Sequence, residues 1–312
     1  MSWALNKVIL SPYEASVFRR ETLPTCDDVT VEIGFGNGEF LLDMASRNER
    51  GFCFGIEVSM TSILKAARKC LMRRWPNVRL LCGDGSFLLR EFFLPESVGR
   101  VYVNFPCPWP KKRHAKRRLV TPGFVCNLAH ALKVKGAFEL ASDERWYIED
   151  ARTCLLENPA FEVGDVLVGE SSSFRTKYEE KWISMGKSIY RLKATKHVPF
   201  RVEPVVDWEV TALNVKAKRP DVWEASRLSC LCGLTGGEER FRWTFKDLFL
   251  GSQETALLQA ITVDDGFEQK FYIRLVPCEG EVLIKLDDAS SIYRTPAVKR
   301  SFAALAEEIE RL

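Results

Sequence analysis

Five residues, Val29-Thr30-Val31-Glu32-Ile33, form a short β-branched run that ends in a glycine turn, Gly34-Phe35-Gly36-Asn37-Gly38. The stretch that follows, 39–48, sets Phe40, Leu41, Met44 and Ala45 at helical spacing. A strand, a turn of glycines and a helix constrain what comes next: the helix packs back on the sheet and the next strand runs parallel. Glycines in such a turn take positive φ and let backbone N–H groups approach a ligand closely. The spacing is GxGxG, and a lone glycine-rich turn also occurs in strand–turn–helix units that bind nothing. The turn needs company before it means a site.

The alternation continues. A strand is expected over 51–58, closing in Gly55-Ile56-Glu57, followed by a helix that Ser59 caps, with Ile63, Leu64, Ala67 and Leu71 on one face. A third strand over 78–81 closes in Cys82-Gly83-Asp84-Gly85, and a helix is expected over 86–93. A fourth strand ends at Phe105; Thr121-Pro122 opens a helix running to 132, with proline in its first turn. Strands are expected over 136–143 and 161–168 with a helix over 146–157 between them, and the alternating run 188–195 reads as a closing strand. This is an α/β, Rossmann-like, mostly parallel sheet with helices on both faces. After Pro199 the pattern changes to short strands, a hairpin signal at Asp264-Asp265-Gly266 and an amphipathic helix from Pro296. A chain of 312 residues suits two domains. The boundaries read as 1–199 for the α/β domain and 200–312 for a small C-terminal α+β domain without recognisable chemistry.

Three strand ends carry carboxylates: Glu32, Glu57 and Asp84. An acid at the end of the second strand suits ribose hydroxyls. Asp84 suits either an adenine amino group or the cap of the helix after it. With Gly34, Gly36 and Gly38 between the first two acids, the set fits a ligand with adenine, ribose and a charged amino-acid tail. S-Adenosylmethionine fits better than a dinucleotide, because no pyrophosphate-length cradle is visible.

The fourth strand delivers Phe105-Pro106-Cys107-Pro108-Trp109-Pro110, then Lys111-Lys112-Arg113-His114-Ala115-Lys116-Arg117-Arg118, with six Lys/Arg in eight residues. In open α/β sheets ligands bind at the carboxyl edge of the strands, where this stiff loop lands. Most charge runs are solvated surface, but one placed on a rigid loop at a functional edge points to nucleic acid. The charge balance agrees: residues 1–199 carry 30 Lys/Arg against 23 Asp/Glu, and residues 200–312 carry 15 against 19. Most of the ten cysteines lie in apolar runs, which is buried-thiol usage suited to a reducing cytoplasm. Cys230-x-Cys232 lacks the second pair or spaced histidines of a zinc site, so no metal is expected. The N-terminus has no signal-peptide layout and no run reaches membrane-spanning length, so neither export nor a membrane partner is expected.

Val31-Glu32-Ile33-Gly34-Phe35-Gly36-Asn37-Gly38, Gly55-Ile56-Glu57-Val58, Phe105-Pro106-x-Pro108-Trp109-Pro110-Lys111-Lys112-Arg113-His114 and Thr176-Lys177-Tyr178-Glu179 together resemble the bacterial tRNA (guanine-N7-)-methyltransferase family. The proline-tryptophan-basic motif is the specific one, and the motifs span about residues 28–196. The resemblance implies a class I methyltransferase sheet and methyl transfer from S-adenosylmethionine to N7 of a guanine, guanine 46 of the tRNA variable loop. It implies cofactor contacts at Glu32, Glu57 and Asp84, and substrate contacts at Lys111, Asp143, Thr176, Lys177, Tyr178 and Glu179. It implies RNA contacts at Arg113, His114, Lys116, Arg117 and Arg118. The chain departs from the family at Cys107, where the pattern has a catalytic aspartate. A cysteine there opens two other readings: a cytosine-C5 RNA methyltransferase with Cys107 as nucleophile, or a tRNA-binding protein with impaired transfer.

Overall fold

The computed structural model describes residues 5–11, 13, 28–48, 50–169, 179, 183–208, 213–220 and 223–312. The chain divides into two compact units, Met1–Pro204 and Val205–Leu312.

In the first unit the predicted alternation appears as β1 (Ile9–Leu10), β2 (Val29–Ile33), α1 (Glu39–Arg47), β3 (Phe52–Glu57), α2 (Met60–Arg73), β4 (Val78–Cys82), α3 (Gly85–Glu91) and β5 (Val98–Asn104). A short 3₁₀ helix (Lys112–Arg117), α4 (Pro122–Ala131), β6 (Leu132–Ser142), α5 (Arg145–Leu156), β7 (Phe161–Val163), β8 (Leu167–Val168) and β9 (Tyr190–Lys196) complete it. The sheet order is β1-β4-β3-β2-β5-β6-β9-β7, with β8 also on β9. Pairs from β1 through β6 are parallel, and β9 runs antiparallel to β6. All five residues of β2 are buried, as expected of a central strand covered on both faces. Side chains cap the helices where the sequence offers them: Ser59 Oγ accepts from Ser62 N–H, and Thr121 Oγ1 accepts from Phe124 N–H at 3.2 Å.

Two sequence-based boundaries move. The expected strand over 161–168 is broken at Gly164, whose N–H donates to Lys193 O at 2.9 Å, so β7 and β8 pair separately with β9. β6 begins at Leu132, earlier than the expected 136, and Lys135 takes a positive φ of 71° inside it.

The second unit holds β10 (Asn214–Lys218), β11 (Thr235–Gly237), β12 (Phe241–Leu250), β13 (Ala256–Asp264), β14 (Phe267–Pro277), β15 (Glu281–Leu286) and α6 (Pro296–Glu310). Its sheet is antiparallel in the order β10-β15-β14-β13-β12-β11. Phe245, Leu258, Phe271 and Ile284 share a buried core with Phe302 and Leu305 of α6. Buried Asp264 accepts from Thr295 Oγ1 at 2.6 Å and from Ala297 N–H at 2.8 Å, which fixes the start of α6. The predicted hairpin forms between β13 and β14, with Asp265 and Gly266 at φ 49° and 86°.

Candidate active site

The order of the parallel strands reverses between β2 and β5, the position where open α/β sheets open a crevice. Glu32, next to last in β2, lies there and is 2% exposed. Its Oε1 accepts from Asn104 Nδ2, at the end of β5, at 3.1 Å. One hydrogen bond thus spans the crevice. Glu32 Oε2 is buried with no hydrogen-bond partner. Burial pushes the Glu32 carboxyl up to about 7; the Asn104 bond and the Leu41 backbone N–H oppose, and the charge of Glu57 adds a smaller push upward. A buried acceptor without a donor is costly, and a ligand donor is one way to satisfy it.

Glu57 ends β3 and is tied back to the glycine turn. Its Oε2 accepts from Gly36 N–H at 3.0 Å, and its Oε1 from Val58 N–H at 2.9 Å and Ser59 N–H at 3.0 Å. A carboxylate has about four acceptor sites, so one remains for a hydroxyl. Gly34 and Gly36 have φ of 73° and 52°, and a Cβ on either would meet nothing within 4 Å. The turn therefore leaves an open concavity edged by backbone. Gly38 differs: a Cβ there would lie 3.0 Å from Ala66 Cβ, so its glycine is needed for packing α1 on α2. Asp84 caps α3, its Oδ1 accepting from Phe87 N–H at 2.8 Å. It is also solvent-exposed, so the cap reading holds while its second oxygen still faces water.

The other side of the crevice is built from the segment after β5. Phe105 N–H donates to Ala141 O at 2.8 Å, which continues the β5–β6 pairing into the loop. Phe105 and Trp109 take φ of 52° and 45°, left-handed values that non-glycine residues rarely adopt. They bracket Pro106-Cys107-Pro108, and Cys107 is exposed between two residues of fixed φ. Trp109 is braced on its ring: the Arg117 guanidinium lies 5.0 Å from the ring centroid and the His114 ring 5.7 Å away. His114 Nε2 also accepts from Arg113 Nε at 3.2 Å.

Lys111, Arg113, Lys116 and Arg117 are exposed, as is Lys112, and none forms an ion pair among the described residues. The sequence groups Arg118 with them as an RNA contact; the structure turns it inward. Its Nη1 lies 3.1 Å from Asp150 Oδ2 and its side chain is 14% exposed. The two carboxylates expected to contact substrate also carry partners that the sequence did not suggest. Asp143, just beyond β6, meets Lys187 Nζ at 2.6 Å through Oδ2. Glu179, with its side chain 3% exposed, meets Arg191 Nη2 at 2.5 Å. Thr176, Lys177 and Tyr178 lie outside the described residues. Asn104 could have been noticed as the polar residue before the loop, whereas Lys187, Arg191 and Asp150 carry no local signal.

The arrangement offers a buried acceptor for a cationic amino group, a carboxylate beside a glycine turn for ribose, and an exposed acid for adenine. These residues fit S-adenosylmethionine. Across the crevice lies a rigid loop leading into uncompensated positive charge.

Residues 27–192 match the family described as "Putative methyltransferase". A tRNA (guanine-N(7)-)-methyltransferase of Thermotoga maritima is 36% identical over 282 residues, covering 90% of this chain and 89% of its own. The protein of the same name from Aquifex aeolicus is 31% identical, covering 90% of this chain and 93% of its own. One from Limosilactobacillus reuteri is 35% identical over 169 residues, covering 53% of this chain and 79% of its own. The first two matches necessarily include residues of the second unit, although the recognisable motifs stop near residue 196.

Proposed function

Because the chain belongs to the tRNA (guanine-N7-)-methyltransferase family, we propose that it methylates N7 of a guanine in the tRNA variable loop, with S-adenosylmethionine as donor. The observation that carries this reading is the crevice between β2 and β5. There Glu32, its Oε2 unsatisfied, is tied through Oε1 to Asn104 at the end of the strand that delivers the Cys107 loop and the basic helix. Glu32 would accept from the cofactor's amino group, Glu57 from ribose and Asp84 from the adenine amino group, over the backbone of Gly34 and Gly36. When bound, S-adenosylmethionine supplies an electrophilic methyl group on a sulfonium.

Guanine N7 carries an in-plane lone pair and no proton, so no residue of this chain must act as a base. The protein's work is alignment. Asp143 keeps Oδ1 without a partner among the described residues, and that oxygen is the acceptor offered to the N1–H and N2–H edge of the base. Its other oxygen is held by Lys187, so Asp143 acts by geometry more than by net charge. The cysteine at position 107 accepts hydrogen bonds weakly, and a lost base-edge contact costs about 1–3 kcal/mol.

Incubation with methyl-labelled S-adenosylmethionine and unmodified tRNA, followed by digestion to nucleosides, tests the reading. 7-Methylguanosine is expected. 5-Methylcytidine would instead make Cys107 a nucleophile, and tRNA binding without label would make the chain a binding protein. Cys107→Ala retains transfer under the N7 reading, and Cys107→Asp raises the rate by roughly tenfold.

A further inference from the structure

Within the basic run, one residue is built differently from its neighbours. Five of the six cations from 111 to 118 are exposed and make no ion pair among the described residues. A side chain that grips phosphate needs that uncompensated charge. Arg118 has spent its own on the protein. Its Nη1 donates to Asp150 Oδ2 at 3.1 Å, and its Nε and Nη2 both donate to Trp109 O at 3.4 Å. Its guanidinium lies 4.8 Å from the centroid of the Trp146 ring. Trp146 is itself fixed, Nε1 donating to Glu144 Oε2 at 3.0 Å. Two residues beyond Arg118, Val120 N–H donates to the Tyr147 hydroxyl at 3.4 Å.

All of these partners except Trp109 sit on or immediately before α5, the helix that follows Asp143. Trp109 is the left-handed residue that closes the bracket around Cys107. The fork of Arg118 therefore joins the carbonyl of a strained loop residue to a rigid helix at the carboxyl edge of β6. A planar guanidinium can bond a carbonyl and a carboxylate while stacking on a ring; an ammonium cannot.

Resting on the methyltransferase reading, we propose that Arg118 is a positioning residue: it staples the Cys107 loop to α5 through Trp109 O, Asp150 and Trp146, and leaves the RNA grip to the other five cations of the run. The loop then faces the base at a fixed distance, and misplacement of about an ångström can cost as much as a hundredfold in rate.

Arg118→Lys, Arg118→Ala, Asp150→Asn and Arg117→Ala variants of the full chain test this through three readouts. The first is single-turnover methylation at saturating tRNA. The second is the slope of log affinity against log salt for tRNA binding. The third is amide hydrogen exchange at Phe105, Cys107 and Trp109 without ligand. Arg118→Lys and Arg118→Ala are expected to slow single turnover roughly 10- to 100-fold, to leave the salt slope unchanged and to accelerate loop exchange. Asp150→Asn should show the same pattern more weakly. Arg117→Ala should lower the salt slope by roughly 0.7–0.9, a loss that the Arg118 variants should not show.

Full activity in Arg118→Lys, together with a reduced salt slope in Arg118→Ala, would make Arg118 a phosphate contact and overturn the proposal. Unchanged loop exchange in both Arg118 variants would overturn it as well. The exchange readout needs neither cofactor nor tRNA, so a wild-type chain that failed to methylate would refute the function while leaving the staple to be judged on its own.

Discussion

The two sides of the crevice are made by different means. The proposed cofactor side, at the ends of β2, β3 and β4, is held by carboxylates that accept from backbone N–H groups: Glu57 from Gly36 of the glycine turn and from its neighbours Val58 and Ser59, and Asp84 from Phe87. The proposed substrate side, at the ends of β5, β6 and β9, is held by side-chain ion pairs: Asp143 with Lys187, Glu179 with Arg191, Arg118 with Asp150. The N–H groups of a turn or a helix start are set in place as that backbone forms. Ion pairs across segments depend on where the chain has already placed its elements, and their strength depends on burial. The cofactor side should therefore fail abruptly when its backbone is altered, and the substrate side in graded steps.

The abrupt case is Gly36→Val. Gly36 has φ 52°, and a β-branched side chain there is strained as well as projecting into the open concavity. Cofactor affinity, measured by titration calorimetry, should fall by about a thousandfold, roughly 4 kcal/mol. A loss below tenfold would mean that the concavity is not where the cofactor sits.

Glu32→Gln is the next largest and isolates the buried charge. The folded chain holds the Glu32 proton up to about 7, against 4.5 for a free glutamate. Between these values the folded state binds more protons than the unfolded state, so stability falls as pH rises. The contribution is complete below about 4.5 and gone above about 7. For the ligand-free protein this group alone should remove roughly 3 kcal/mol across that window. Glu32→Gln should flatten that part of the profile in thermal unfolding and weaken cofactor binding at pH 8. An unaltered profile would show that the Glu32 carboxylate is solvated in solution.

The same contrast governs what can be read from the sequence. The glycine turn, the acids ending β3 and β4 and the Ser59 cap are all encoded within a few residues, and each stands where the local pattern places it. Asn104 lies 72 residues from Glu32, and Lys187 lies 44 residues from Asp143. No local pattern carries such a pair, because a cation at the start of a closing strand looks like any surface lysine until the strand order is known. β1 escaped notice because two residues are too few for a periodic signal. Arg118 was hidden for the opposite reason: its neighbours made it look like one more member of a basic run, and only its Asp150 and Trp146 contacts separate it.

The graded steps can be measured on one pair against the other. Arg191→Met leaves Glu179, whose side chain is 3% exposed, without the partner at 2.5 Å. Removing that cation from a carboxylate kept from water is destabilising, and partial access of water at Arg191 brings the cost to about 2 kcal/mol, below that of a fully buried pair. Lys187→Met removes a comparably short contact, 2.6 Å, but Lys187 is 40% exposed and Asp143 14%. Its stability cost should stay under about 1 kcal/mol. Its larger effect should be on the base: with Lys187 gone, Asp143 keeps both oxygens for hydrogen bonding but loses the contact that fixes its rotamer. The tRNA KM is then expected to rise by less than about fivefold, with denaturation midpoint nearly unchanged. Should Lys187→Met prove as destabilising as Arg191→Met, exposure would not be what separates the two pairs, and the substrate side would be as rigidly built as the cofactor side.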